Sequence, residues 1–99
     1  MIYEHAEIQI KPNTSAEFEA AVREAVPLFR RAKGCLSMRI DRVIERENTY
    51  LLVIGWKTLE NHTVDFRGSE DFTAWRALVG GFFAVPPRVE HLANALTGF

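Results

Sequence analysis

The chain has little that would let it cross-link, span a membrane or hold a metal. Its single cysteine, Cys35, cannot form an intrachain disulfide and suits a reducing compartment. No apolar stretch approaches the roughly 18 residues needed to cross a bilayer. The opening MIYEHAEIQI lacks a basic segment followed by an apolar one, so no secretion signal is expected. The expected setting is soluble and cytoplasmic. A surplus of one charge is also missing: the net charge is −1 and no run of Lys or Arg forms a patch, so nucleic-acid and membrane partners are not expected. No glycine-rich phosphate loop is present. His5, His62 and His91 have none of the close spacings of a zinc site. Neither a cofactor nor a metal is therefore expected. Repeats, linkers and low-complexity segments are absent too, and 99 residues make one domain over 1–99.

What is present is periodicity. Residues 2–10 alternate, with Ile2, Ala6, Ile8 and Ile10 on one face and Glu4 intruding among them. Thr14 and Glu17 have the spacing of a capping box. They open a helix with Phe18, Val22, Ala25, Val26 and Phe29 inward, which Pro27 should kink and Gly34 should stop. Residues 35–45 read as a strand, with Leu36, Met38 and Ile40 on one face and Cys35, Ser37, Arg39 and Asp41 on the other. Glu47-Asn48 turns the chain into a strand over 49–57, apolar on both faces: Tyr50, Leu52, Ile54 and Trp56, then Leu51 and Val53. A last strand is expected over Arg88 to Leu96. The order is β-α-β-β-α-β, an α+β ferredoxin-like arrangement with an antiparallel sheet. Helices cover one face of such a sheet. The apolar second face of the third strand asks for cover, so a twofold homodimer is expected.

The most informative segment is Gly55 to Phe83, where the second helix of this pattern is split in two. Thr58 caps the first short helix, whose stripe is Leu59, His62 and Phe66, with Glu60, Asn61 and Asp65 pointing away; Gly68 ends it. Ser69 caps the second, with Glu70 and Asp71 in its first turn and a stripe of Phe72, Trp75, Val79 and Phe82 or Phe83. Arg76 falls on that apolar face. A polar group in an apolar wall costs free energy unless paired, so His62 and Arg76 point either to structural partners or to a ligand pocket.

The strand end Gly55-Trp56, the helix start Thr58-Leu59-Glu60-Asn61-His62, the Phe72, Trp75, Leu78, Phe82 stripe and the closing Pro87-Arg88-Val89-Glu90-His91 together resemble the antibiotic biosynthesis monooxygenase domain. The resemblance covers nearly the whole chain. It implies a homodimeric α+β barrel with a pocket in each subunit between sheet and helices. Members of the family include cofactor-free monooxygenases of phenols and quinols, and haem-degrading enzymes. The haem-degrading pattern has an Asn, a Trp and a His at places held here by Ala6 or its neighbours, by Asp65 or a near neighbour, and by Trp75 or Arg76, so haem degradation is disfavoured. By analogy with the phenol-oxidising members, His62 and Arg76 are candidates for catalysis: His62 as the base that removes a phenolic proton, Arg76 as the cation that steadies the anion. Phe66, Phe72, Trp75 and Phe83 are candidates to hold a small planar aromatic substrate.

The plainer readings are a core histidine bonded to a backbone carbonyl and an Arg76 paired with Glu4, Glu7 or Asp41 or reaching to solvent. Trp56 and Cys35 read as structural. The rival function is a non-catalytic dimer that binds a small hydrophobic metabolite.

Overall fold

Alternating apolar residues produce four strands, which pair as one antiparallel sheet in the order β2-β3-β1-β4. A computed structural model describes residues 1–99, with β1 Ile2–Gln9, α1 Ser15–Arg30, β2 Cys35–Arg42, β3 Thr49–Trp56, a π-helix Asn61–Phe66, α2 Glu70–Val79, a 3₁₀ turn Gly80–Phe82 and β4 Arg88–Ala93. The fold is ferredoxin-like α+β, as the sequence predicts. No helix is long and apolar enough to cross a membrane.

The core lies between the sheet and the helices. Ala6, Ile8 and Ile10 from the β1 segment and Tyr50, Leu52, Ile54 and Trp56 from β3 meet Phe18, Val22, Ala25 and Phe29 from α1 and Trp75 and Val79 from α2. Two side-chain clamps fix the helices. Arg31 grips Asp71 with two hydrogen bonds of 2.8 and 2.7 Å, tying the end of α1 to the first turn of α2. Tyr50 donates to Glu19 at 2.6 Å, tying the sheet to α1.

Local chemistry departs from the simple periodicities in several places. Thr14 is the N-cap residue of α1, but its hydroxyl donates back to the Lys11 carbonyl at 2.6 Å, so the expected capping box does not form. Val26 is half-buried, while Pro27 sits in the last turn of α1 on its exposed side, where few helical bonds remain to be lost. The register of β2 shifts between Cys35 and Ser37. The bulge leaves Leu36 as the extra, exposed residue and turns Cys35 onto the core alongside Met38 and Ile40. β2 also ends at Arg42 and β4 at Ala93, both short of expectation.

The first short helix is wider than an α-helix. The Arg67 N–H reaches the His62 carbonyl at 3.1 Å, an i→i+5 bond. Widening rotates the faces, so Asn61, His62 and Phe66 are buried while Leu59 faces solvent. Asn61, expected to point away, exchanges hydrogen bonds with Thr58: Asn61 N–H donates to Thr58 Oγ1 at 3.2 Å and Thr58 N–H to Asn61 Oδ1 at 3.1 Å. The chain leaves this helix without a left-handed residue at Gly68. A side chain there would instead crowd the Val64 carbonyl, 2.9 Å from an added Cβ.

Gly34 is the left-handed glycine, with φ +75°, and an added Cβ would collide with Asn61 Oδ1. Gly34→Ala is therefore expected to cost about 2 kcal/mol or more, from backbone strain plus displacement of Asn61. Urea unfolding at neutral pH measures it.

Candidate active site

Glu4 is an acid on the core side of β1, between Ile2 and Ala6, and it is only 6 % exposed. Such a group must be paired, and its partners come from three elements. From β3, the Trp56 indole N–H donates to Glu4 Oε1 at 3.0 Å. From the π-helix, His62 Nε2 lies 3.3 Å from the same oxygen. From β4, His91 stands opposite Glu4 in the sheet register, and its Nε2 is 2.8 Å from His62 Nδ1. The Trp56 and His62 rings stack at 5.4 Å, which holds the imidazole in the plane these contacts need. Trp56, expected to be plain core, is thus also a hydrogen-bond donor to the site.

The Glu4–His62 contact has ion-pair distance, but burial disfavours the charged form of both groups. The two side chains are 8 % and 3 % exposed, and removing both charges from water costs several kcal/mol per ion. Burial pushes the Glu4 carboxyl up, against the opposing pull of the Trp56 N–H and the Arg67 charge. Burial, then the charges of Arg67 and His91, hold His62 down to about 4. His91 is lowered by burial and by Arg67. Both imidazoles are accordingly neutral near pH 7, and each has one donor and one acceptor nitrogen.

Beside this network lies a cavity of about 190 Å³. Its floor is the inner sheet face: Glu4, Ala6, Ile8, Leu52 and Val89. Its walls are His62, Arg67, Phe72, Trp75, Arg76, Phe83 and Pro87. Ser69 caps α2 by accepting from the Phe72 N–H at 3.2 Å, which sets Phe72 and Trp75 against the cavity. Phe83 is held by an isolated bridge between Ile10 and Phe83, beside a 2.8 Å bond from Lys11 Nζ to the Gly81 carbonyl.

His62 and Arg76 therefore line one cavity together with Phe72, Trp75 and Phe83. Phe66 does not. It sits one layer behind, 4.9 Å from the Phe29 ring and 5.5 Å from Trp56, with Phe72 edge-on at 5.8 Å. Arg76 pairs with none of Glu4, Glu7 and Asp41; Glu7 takes Arg46 and Asp41 takes Arg39. The Arg76 guanidinium is exposed at the rim, 5.9 Å from the Phe72 ring centre. His62 bonds the His91 side chain through Nδ1 rather than a backbone carbonyl, and its Nε2 faces Glu4 Oε1 at 3.3 Å.

Glu4 and His91 are the members of the site that sequence reasoning missed. The signal for Glu4 was its break in an apolar alternation. His91 shares a face with Val89 and Ala93, but only the register of β1 on β4 brings it to Glu4.

The matches to known proteins agree with this architecture. Residues 1–78 match the family model described as antibiotic biosynthesis monooxygenase, and the chain belongs to that family. The Bacillus subtilis protein YczJ is 40% identical over 94 residues, 95% of this chain and 99% of YczJ. A crystal structure of an antibiotic biosynthesis monooxygenase homologue from Bordetella bronchiseptica is 49% identical, with a TM-score of 0.94 over 96% of this chain and 97% of that one. SnoaB of Streptomyces nogalater, a cofactor-independent oxygenase, shares the fold at a TM-score of 0.83 over 98% of this chain and 95% of its own, with 13% identity.

Proposed function

We propose that the protein is a cofactor-independent monooxygenase that oxidises a one- or two-ring phenol or quinol with O₂. The observation that carries this reading is a buried carboxyl, backed by a histidine, on the floor of an aromatic-walled cavity. Oε1 of Glu4 accepts from Trp56 and has His62 Nε2 3.3 Å away. Its Oε2 has no partner, and no fully enclosed side-chain oxygen or nitrogen lacks one, so Oε2 is open to a ligand. This moves the direct contact with substrate from His62, whose Nδ1 is bonded to His91 and whose Nε2 is turned toward Glu4, to Glu4. A cavity of about 150 Å³ accommodates benzene. The 190 Å³ here suits one or two rings rather than a polycycle.

In this reading the ring lies against Trp75, Phe72 and Phe83, and the phenolic O–H gives its proton to the Glu4–His62 pair. Arg76 and Arg67 stabilise the phenolate, which is electron-rich enough to reduce O₂ without a flavin or metal. One oxygen atom enters the ring and the other leaves as water, with the substrate supplying all the electrons. The protein binds, orients and excludes water.

Oxygen uptake by chelator-treated protein against a panel of small phenols and quinols tests this. The expected result is uptake that needs both protein and phenol, with a quinone-type product. Phenols that bind without any uptake would make the protein a non-catalytic binder of small aromatic metabolites. Arg76→Ala should raise KM for acidic substrates roughly ten- to a hundredfold, the worth of hydrogen bonds to a charge, with little change in folding because Arg76 is exposed and unpaired.

The proposed assembly is a homodimer. Leu51 and Val53 are half-buried on the sheet face away from the helices, where Tyr3 stands opposite Leu92 in the register and His5 stands opposite Val53. Light scattering should give twice the monomer mass at micromolar concentration. Val53→Asp should shift it to the monomer by burying an unpaired charge. The cytoplasm suits the free Cys35.

A further inference from the structure

We propose that Glu4, His62 and His91 form a proton wire from the cavity to solvent, with His91 as its outer port. The inference rests on the oxygenase reading for its purpose and on geometry for its path. The three side chains stand in line: His62 Nε2 is 3.3 Å from Glu4 Oε1, an ion-pair distance that the transfer must tighten, and His62 Nδ1 is hydrogen-bonded to His91 Nε2 at 2.8 Å. The middle member is 2 % exposed. Both ends of the line are open. Glu4 Oε2 and His91 Nδ1 have no hydrogen-bond partner, and neither is sealed away. Glu4 lines the cavity, whereas His91 is half-exposed and lies outside its walls.

Burial favours the protonated form of Glu4 and the neutral forms of both imidazoles. In the starting state of the relay Glu4 carries its proton on Oε1, and His62 and His91 carry theirs on Nδ1. When substrate gives its proton to Glu4 Oε2, Oε1–H passes to His62 Nε2, His62 Nδ1–H to His91 Nε2, and His91 Nδ1–H to water. Each group gains one proton and loses one. Substrate loses a proton, the solvent gains it, and no charge is left in the wire. The wire then stands reversed, with a proton on Glu4 Oε2 facing the cavity. Oxygen reduction requires a proton later in the cycle. Donation from Oε2, refilled from solvent through His91 and His62, restores the starting state. One proton out and one proton in thus reset the device. Arg67 is the charged group that acts on all three members, and its charge disfavours a resident imidazolium.

Two measurements on the intact protein test the wire. The first needs no substrate: ¹⁵N NMR of the imidazole nitrogens at neutral pH. The wild type should carry its ring protons on Nδ1 of both His62 and His91. In Glu4→Gln the amide oxygen keeps the Trp56 N–H and accepts from His62 Nε2–H, so both rings should switch to Nε2–H together. A switch in one ring alone, or in neither, overturns the wire. The second is turnover. His91→Ala should lower kcat by on the order of ten- to a hundredfold with KM unchanged. Added imidazole should restore the rate in proportion to its concentration, whereas sodium chloride of equal ionic strength should not. Full turnover by His91→Ala without buffer dependence overturns the wire and leaves the oxygenase reading standing. Wild-type protein that consumes no oxygen, but whose two rings switch together, overturns the oxygenase reading and leaves the wire.

Discussion

Glu4→Gln is expected to cut phenol-dependent oxygen uptake about a hundredfold to ten-thousandfold, the usual worth of a general base. Substrate binding should survive. Gln has the same shape, and its amide oxygen can still accept from Trp56, which now donates to Glu4 at 3.0 Å. The loss should fall on kcat, because the Glu4 carboxyl acts only as the proton moves. Single-turnover oxygen consumption beside phenol binding by fluorescence quenching of Trp75 and Trp56 separates the two. A loss confined to KM would mean that Glu4 positions the ring and does not take the proton.

The second large effect concerns stability in acid. His62 is held down to about 4 from the ordinary 6.5. Between those values the unfolded chain binds a proton that the folded chain refuses, so stability falls as the pH drops through this window. The gap is worth about 3 kcal/mol, at about 1.4 kcal/mol per unit. Below the folded value His62 causes no further loss. Glu4 acts in the opposite sense: its folded carboxyl titrates above the unfolded one, so its contribution is fully present at low pH and is lost as the pH rises through its folded value. The comparison that isolates His62 therefore uses the Glu4→Gln background. On lowering the pH from 7 to 4, Glu4→Gln should lose about 3 kcal/mol more than Glu4→Gln/His62→Asn by urea unfolding. Parallel losses would show that His62 titrates normally and is not sealed in.

The sheet and its helices were legible because each is written in a pattern. β1 alternates apart from Glu4, β3 is a continuous apolar run, and α1 and α2 show helical stripes that match the buried residues Phe18, Val22, Ala25, Phe29, Trp75 and Val79. Failures came where one extra residue changed the phase. The bulge at Leu36 inverted Cys35, and the π-helix turned Asn61 inward and Leu59 outward. Neither insertion has a local signature, since both are settled by what packs against them: the bulge by the pairing of β2 with β3, the inward Asn61 by its seat on Gly34.

The site was half legible. His62, Arg76, Phe72, Trp75 and Phe83 stand in one short stretch, and helical spacing was enough to gather them. Glu4 and His91 come from the first and last strands, whose register is a tertiary property. Glu4 breaks its pattern visibly, but the sequence alone offers it only as a partner for Arg76. The structure gives that carboxyl to Trp56 and His62 instead, and leaves Arg76 free at the rim.

The most direct test of the account is a crystal structure with a one-ring phenol bound. The phenolic oxygen should lie about 3 Å from Glu4 Oε2, within hydrogen-bonding reach of a base, with the ring against Trp75 and Phe72 and with the His62–His91 contact intact. A phenol seated elsewhere, such as the groove between α1 and β2 near Tyr50 and Met38, or one whose oxygen meets Arg76 and leaves Glu4 untouched, would contradict it.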